Sequence, residues 1–574
     1  MNSRRFTFET ALYLLAFILA LLVRLYNLGA APLSDSEAAW ALQALQIAWP
    51  GDAETIPSFG PQPAYIILTG ISFALLGASD AVARLWPALV GALLPWLPFF
   101  FRRELGQPAA LILAFGLALD PGLAASSRLV GGPGMALSFS LLALGVWQAG
   151  NAILAGVLLG LALLSGPTAL PGLLSLGLTW VIFKLGRKPA QSDPPAPAHK
   201  NALGLVLTTA GITILLLGTL ALRYPQALSG WAATLTSYLA GWADPSGVPA
   251  WRLLLAMLVY TPAPLIFAGL GIVRWLYRPE KPVGAGRALF LQSIVWALLS
   301  LVLILVYPGR QVADSAWILT ALWVLAAQEL VHYLPEAKIS PISLIQGALL
   351  LLMGALFWAT LLSTSDIQAV GEFSWNIVRL GMLLGILLLG VVTTILVYLG
   401  WSASISRDGL MLGAACLLVI YCASSLWGAT QLRPNSPAEL WSPTPTTVQE
   451  RLFVSTLQTL SKQQTSLPNT LEIACLVDAP SMRWALRDFD RAHFVSGLPS
   501  DEMPAVVLTR QEQTAPTLTA AYRGQDFIWW AYPGWTGALP PQLVEWLTFR
   551  IAPLQEQQII LWARSDLFPG GEDE

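Results

Sequence analysis

The chain has 574 residues, of which 55% are hydrophobic and only 11% charged, and its formal net charge is −2. This balance departs from soluble composition in the direction of a membrane protein and excludes a polybasic surface for nucleic acid. Three cysteines are too few for a disulfide framework: Cys416 and Cys422 lie on one predicted helix, too far apart to bridge, and Cys475 has no evident mate.

Arg4 and Arg5 precede an apolar run from about Ala11 to Leu25 that leads into a polar loop without a small-residue cleavage site. The run is read as a retained first span, with the N-terminus in the cytoplasm. Directly after it come Asp35 and Glu37, followed by Ala38, Ala41, Leu42 and Leu45 at helical spacing. The acids therefore open a short helix, Asp35 at its N-cap and Glu37 in its first turn, where free N–H groups and the helix dipole favour carboxylates. Pro63 to Leu76 is apolar but short and flanked by turn residues, which predicts a helix lying in or dipping into the membrane. Spans follow over about Leu85–Phe101 and Ala109–Leu119, with Arg102-Arg103-Glu104 between them on the cytoplasmic side and an external loop over Asp120–Gly134. The basic loops at Lys184–Lys200 and around Arg274, Arg278, Lys281 and Arg287 also fall inside, the longer loop Arg223–Trp251 outside. About thirteen spans end near Leu426.

After Gln431 the composition changes. Residues 432–445 form a proline-rich linker, and 446–574 read as a soluble α/β domain. Its expected strands are Leu471–Val477, Ala505–Leu508 and Ile559–Trp562, its expected helices Ser481–Phe489 and Gln542–Phe549. An odd number of spans places this domain outside. The expected fold class is an α-helical polytopic membrane protein over residues 1–431, with the candidate site on external loop 30–83, and a C-terminal extracytoplasmic α/β domain.

Arg24, Asp35, Glu37, Arg84, Arg128, Arg223, Arg310 and Asp314 all stand near span ends on the predicted external side. Arginine grips phosphate oxygens bidentately, and a carboxylate serves as general base toward a hydroxyl or amine, so the set suits a lipid-linked phosphate beside an acceptor. Asp35 and Glu37 are the catalytic candidates; Arg24, Arg84, Arg128 and Arg310 are the substrate-binding candidates. Glu37, with its longer side chain, is expected to be the base or a substrate ligand, and Asp35 to position the loop. The competing reading is structural: arginines snorkel at helix ends and acids cap helices. His199, His332 and His493 are scattered and form no metal motif. Gly131-Gly-Pro-Gly134 lacks the strand and helix context of a phosphate cradle, and no nucleophile elbow is present.

The opening Leu22-Val-Arg-Leu-Tyr-Asn-Leu-Gly-Ala-Ala-Pro-Leu33, followed by acids, resembles the start of the GT-C superfamily of polytopic glycosyltransferases. Gly60-Pro61 and the block Leu76-Gly-Ala-Ser-Asp-Ala-Val-Ala-Arg-Leu-Trp-Pro-Ala-Leu-Val-Gly91 are similar to its next conserved stretch. Trp484-Ala-Leu-Arg-Asp488 resembles a signature in the external domain of the flippase-associated glycosyltransferase-like group of bacteria and archaea. Two departures stand out: the usual adjacent Asp-Glu is here Asp35-Ser36-Glu37, and Leu129–Gly134 lacks the second external acid. By itself, Trp484-Ala-Leu-Arg-Asp488 reads as a helix packing Trp484 and Leu486 inward with Arg487 and Asp488 solvated. The resemblance implies a plasma-membrane glycosyltransferase moving a sugar from a polyprenyl-phosphate donor to an extracytoplasmic lipid, glycan or protein acceptor. A divalent cation is left open as cofactor. The alternatives are a catalytically degenerate GT-C-like subunit in envelope glycan assembly, and a transporter or flippase of lipid-linked sugar.

Overall fold

From Phe8 to Leu432 every regular element among the described residues is helical. In a bilayer, backbone N–H and C=O groups find no water, and a helix satisfies them within its own segment. The computed structural model describes residues 7–50, 59–186, 198–277, 285–334, 339–365, 373–434, 436–442, 445–498, 503–512 and 520–568. The expected basic linker at Lys184–Lys200 lies mostly outside these, as do Arg278 and Lys281. Six helices are long and apolar enough to cross a membrane, or eight if two bent pairs each form one span; the chain is a multi-pass membrane protein. The expected count of about thirteen is reached only with five of the six shorter apolar helices, Pro63–Leu76 being the sixth.

Helices α1 (Phe8–Leu25), α2 (Asp35–Ala48) and α3 (Pro63–Leu76) frame the candidate site. α3 has the bounds read from the sequence: Pro63 presets the first turn, and Gly77 ends it at φ 84°. Further on, proline chemistry breaks what hydropathy reads as continuous. The second span divides into Leu85–Ala92, a 3₁₀ turn at Leu94–Trp96 and Leu97–Phe100, because Pro95 and Pro98 lack the N–H that continues a helical ladder. The third, Gln107–Leu119, bends by 53° into Pro121–Ser127, so the expected loop at Asp120–Gly134 opens with a helix. There the Asp120 carboxylate accepts from the Leu123 N–H at 2.8 Å, and Pro121 starts the new helix. The expected external loop at Arg223–Trp251 likewise contains a helix, Ala227–Ala243.

The C-terminal domain is a six-stranded mixed sheet in the order β1-β5-β6-β4-β2-β3. Its strands are β1 (Thr446–Thr447), β2 (Ile473–Cys475), β3 (Ala492–Phe494), β4 (Val506–Arg510), β5 (Tyr522–Pro533) and β6 (Leu554–Arg564). β2 runs parallel to β3 and β4; the other pairs are antiparallel. The three expected strands coincide with β2, β4 and β6, and the expected helices appear as Pro480–Ala485 and Leu543–Phe549. β5 escapes the pattern because Arg523, Gln525 and Asp526 interrupt its apolar run. Phe453, Ile473, Val506, Phe527 and Trp529 build the domain core. Two contacts seat this domain on the helices. Trp484 enters the core of the first loop beside Leu33, Tyr65 and Phe73, its ring centroid 5.7 Å from Phe73. Trp535 and Trp546 join the core of the membrane helices with Tyr260 and Trp317. Trp484 and Leu486 are buried and Asp488 exposed, while Arg487 is half-buried with its guanidinium 4.2 Å from the Trp484 ring.

Candidate functional site

The N-cap of α2 is Ser34, not Asp35 as expected. Its side chain accepts from the Glu37 N–H, and the Glu37 carboxylate returns to the Ser34 N–H, completing a capping box. This geometry turns the longer acid inward, and Glu37 is 1% exposed. Its Oε1 accepts from Arg84 Nε at 2.9 Å and from the Val130 N–H at 3.2 Å. Its Oε2 accepts from Arg84 Nη2 at 2.7 Å and from the Ser34 N–H and Oγ, both at 3.1 Å. Burial works against the charge, but the Arg84 guanidinium and the N–H donors outweigh it and hold the Glu37 carboxyl below the usual carboxylate range. Arg84 also donates to the carbonyls of Ala31 and Pro32. Gly131, at φ 77°, lets the chain turn so that Val130 faces Glu37; a Cβ there would stand 2.9 Å from Trp40 Nε1. The turn at Gly131 thus serves the carboxylate.

A small cavity of about 60 Å³ opens beside this pair. Its lining includes Glu37, Arg84 and Arg128 from the helical part and Trp441, Thr446 and Thr447 from the linker and β1. Asp35 faces away, into the C-terminal domain. Its Oδ1 accepts from the Ser481 N–H at 3.0 Å and from Ser481 Oγ, and its Oδ2 from Trp530 Nε1 at 2.7 Å. Asp80 is held in the same manner, by Trp484 Nε1 at 2.8 Å. Two carboxylates of the first loop thus receive indole N–H groups from the domain above.

The arginines are divided by the fold. Arg128 gives Nη1 to the carbonyls of Val23, Arg24 and Tyr26 and Nη2 to that of Asn27, closing the C-terminal end of α1. Arg24 does the same for Gln107–Leu119, donating to Ala118 at 2.8 Å and Leu117 at 3.2 Å. Arg310 closes Ala285–Val306 through Leu305 and reaches Val248, each at 3.0 Å. Arg24 and Arg310 are not among the cavity-lining residues. Arg223 is exposed, and Asp314 accepts from the Gln311 N–H within its own turn. Among the described residues no group of three or more His, Cys, Asp or Glu is placed to hold a metal ion.

Glu450, which the sequence reading did not single out, opens the helix Glu450–Thr465. It is 6% exposed, and its Oε2 has no hydrogen-bond partner among the described residues. Burial first, and the Asp80 charge second, push its carboxyl up to about 8, against the opposing pull of Arg487, Arg84 and Arg451. A polar residue at the start of an amphipathic helix carries no local sign of such burial. Because the folded value is raised, the stability Glu450 contributes is fully present below the ordinary carboxylate range and is lost as pH rises through about 8. Glu450→Gln is therefore expected to reduce the fall in melting temperature between about pH 5 and pH 9, measured in detergent micelles. An unchanged fall would place the raised carboxyl elsewhere.

No family model matches the chain, and no curated protein is a significant match. Among solved structures, ArnT from Cupriavidus metallidurans bound to undecaprenyl phosphate is similar over 98% of this chain and 99% of that one, at 15% identity and a TM-score of 0.55. The same protein in the apo state is similar over 97% and 98%, at 16% identity and a TM-score of 0.52. The likeness spans the helices and the C-terminal sheet alike, so this chain shares the overall fold of that ArnT structure.

Proposed function

We propose that the protein is an integral membrane glycosyltransferase that takes a sugar from a polyprenyl-phosphate carrier and passes it to an acceptor on the extracytoplasmic side, where the C-terminal domain lies. The observation that carries this reading is the cavity between helices and sheet, with Arg84 and Arg128 on its wall. It occurs in a fold shared with ArnT, whose solved structure contains undecaprenyl phosphate. When a sugar leaves its carrier, negative charge builds on the phosphate oxygens, and fixed guanidinium groups stabilise it without reorganising. Glu37 contributes by holding Arg84 in place. With five donor atoms on its two oxygens, it is a weak base in this arrangement. The proton acceptor toward the substrate is then a group the acceptor itself brings, or a carboxylate released by domain movement.

Undecaprenyl phosphate is a direct probe. It should raise the melting temperature of the purified parent protein, and Arg128→Lys should weaken its binding by about tenfold or more, because a point charge does not replace a planar fork. Equal binding by the parent and by a folded Arg128→Lys variant would remove the phosphate role. The full engagement of both Asp35 and Glu37 favours a second reading, a GT-C-like subunit that binds the carrier without transferring its sugar. Carrier binding without transfer to any envelope acceptor would select it.

A further inference from the structure

The segment 534–554 of the C-terminal domain carries two sets of large apolar side chains, one packed inward and one exposed. In the first set Trp535, Leu543, Trp546 and Leu547 pack into the core of the membrane helices. In the second Leu539 is 51% exposed, Phe549 42%, Ile551 54% and Leu554 41%. The segment contains only two ionisable residues, Glu545 and Arg550, and Arg550 is buried with its guanidinium 4.6 Å from the rings of Tyr260 and Trp546. A soluble domain that projects several large apolar groups together, with almost no charge among them, marks a contact surface.

What covers it follows from its neighbours. The helix Leu543–Phe549 packs against Pro341–Ser365, a span whose Leu352, Leu356 and Trp358 are turned outward. The exposed apolar groups of 534–554 therefore lie beside a span whose own surface faces lipid. Close to the same membrane boundary, Tyr26 at the end of α1 stacks on Trp427 with ring centroids 5.9 Å apart, both largely exposed. Such aromatic pairs sit at headgroup level.

We propose that the 534–554 edge docks on the bilayer that holds the helices, its exposed apolar groups lying in the headgroup and upper acyl region. Docking rests on apolar area rather than on ionic attraction, since no basic cluster accompanies it. The edge thereby pins the C-terminal domain to the membrane at a site separate from the Trp484 contact.

The test uses the full chain in phosphatidylcholine nanodiscs, with Cys416 and Cys422 replaced by alanine and buried Cys475 retained. Single cysteines at Phe549→Cys, Ile551→Cys and, as a control at an exposed position of the Glu450–Thr465 helix, Lys462→Cys carry an environment-sensitive fluorophore. Brominated phosphatidylcholine is expected to quench most of the emission at 549 and 551 and none at 462, and aqueous iodide to do the reverse. Replacing part of the lipid with phosphatidylglycerol should leave the pattern unchanged. Iodide quenching at 549 and 551 equal to that at 462 would overturn the proposal. So would insensitivity to both quenchers, which would show these groups covered by protein, a second copy included. Variants that elute as the parent does from size exclusion keep unfolding out of either result.

Discussion

Glu37→Ala is expected to cost the fold about 3–5 kcal/mol, the usual penalty for leaving one member of a buried ion pair without its partner. Arg84 and Glu37 are both nearly sealed from water and joined by two hydrogen bonds of 2.9 and 2.7 Å. With the carboxylate gone, the guanidinium keeps only the carbonyls of Ala31 and Pro32, and the N–H groups of Ser34 and Val130 lose their acceptor. The loss should appear as a lower melting temperature in detergent and as earlier proteolysis of the first loop. Arg84→Leu combined with Glu37→Leu should recover part of it, since removing both charges relieves the uncompensated one. A general base behaves otherwise: its loss slows transfer by about two to four orders of magnitude and leaves the fold intact. A Glu37→Ala protein that melts like its parent but transfers no sugar would restore the expected base role and displace the positioning role argued from the geometry.

Asp35→Ala should loosen the C-terminal domain rather than the first loop. The carboxylate takes hydrogen bonds from the Ser481 N–H, Ser481 Oγ and Trp530 Nε1, each charge-assisted and worth about 1.5–3 kcal/mol. The domain remains tethered through Trp484 Nε1 on Asp80 and through Trp535 and Trp546 among the helices, so the single variant opens it locally. Limited proteolysis in the 432–445 linker should be faster by about tenfold or more, the factor that 1.4 kcal/mol corresponds to. Asp35→Asn, which keeps one carbonyl acceptor, should fall between parent and alanine variant. Asp35→Ala with Asp80→Ala should exceed either single change. Linker cleavage at the parental rate in all of them would show that these contacts do not hold the domain.

Local chemistry in the sequence was enough to determine the class of protein, the bounds of α3 and three strands of the C-terminal domain. Hydropathy, proline and alternation act within a few residues and need no distant partner. The inward packing of Leu486 was legible in the same way, whereas Trp484 turns out of its own domain into the core of the first loop. The spacing of Ser34-Asp-Ser-Glu37 also suits a capping box, yet Asp35 offered a competing cap and was the one expected, so the fold decided for Ser34. Tertiary structure alone decided what the acids and arginines do. Glu37 meets Arg84 across 47 positions, and Asp35 meets Ser481 and Trp530 across 446 and 495. Arg24 and Arg128 look alike at span ends, yet only Arg128 borders the cavity, because the 53° bend after Leu119 carries it there. A charge removed from water takes its role from whatever packing brings within hydrogen-bond distance, and no spacing along the chain records those partners.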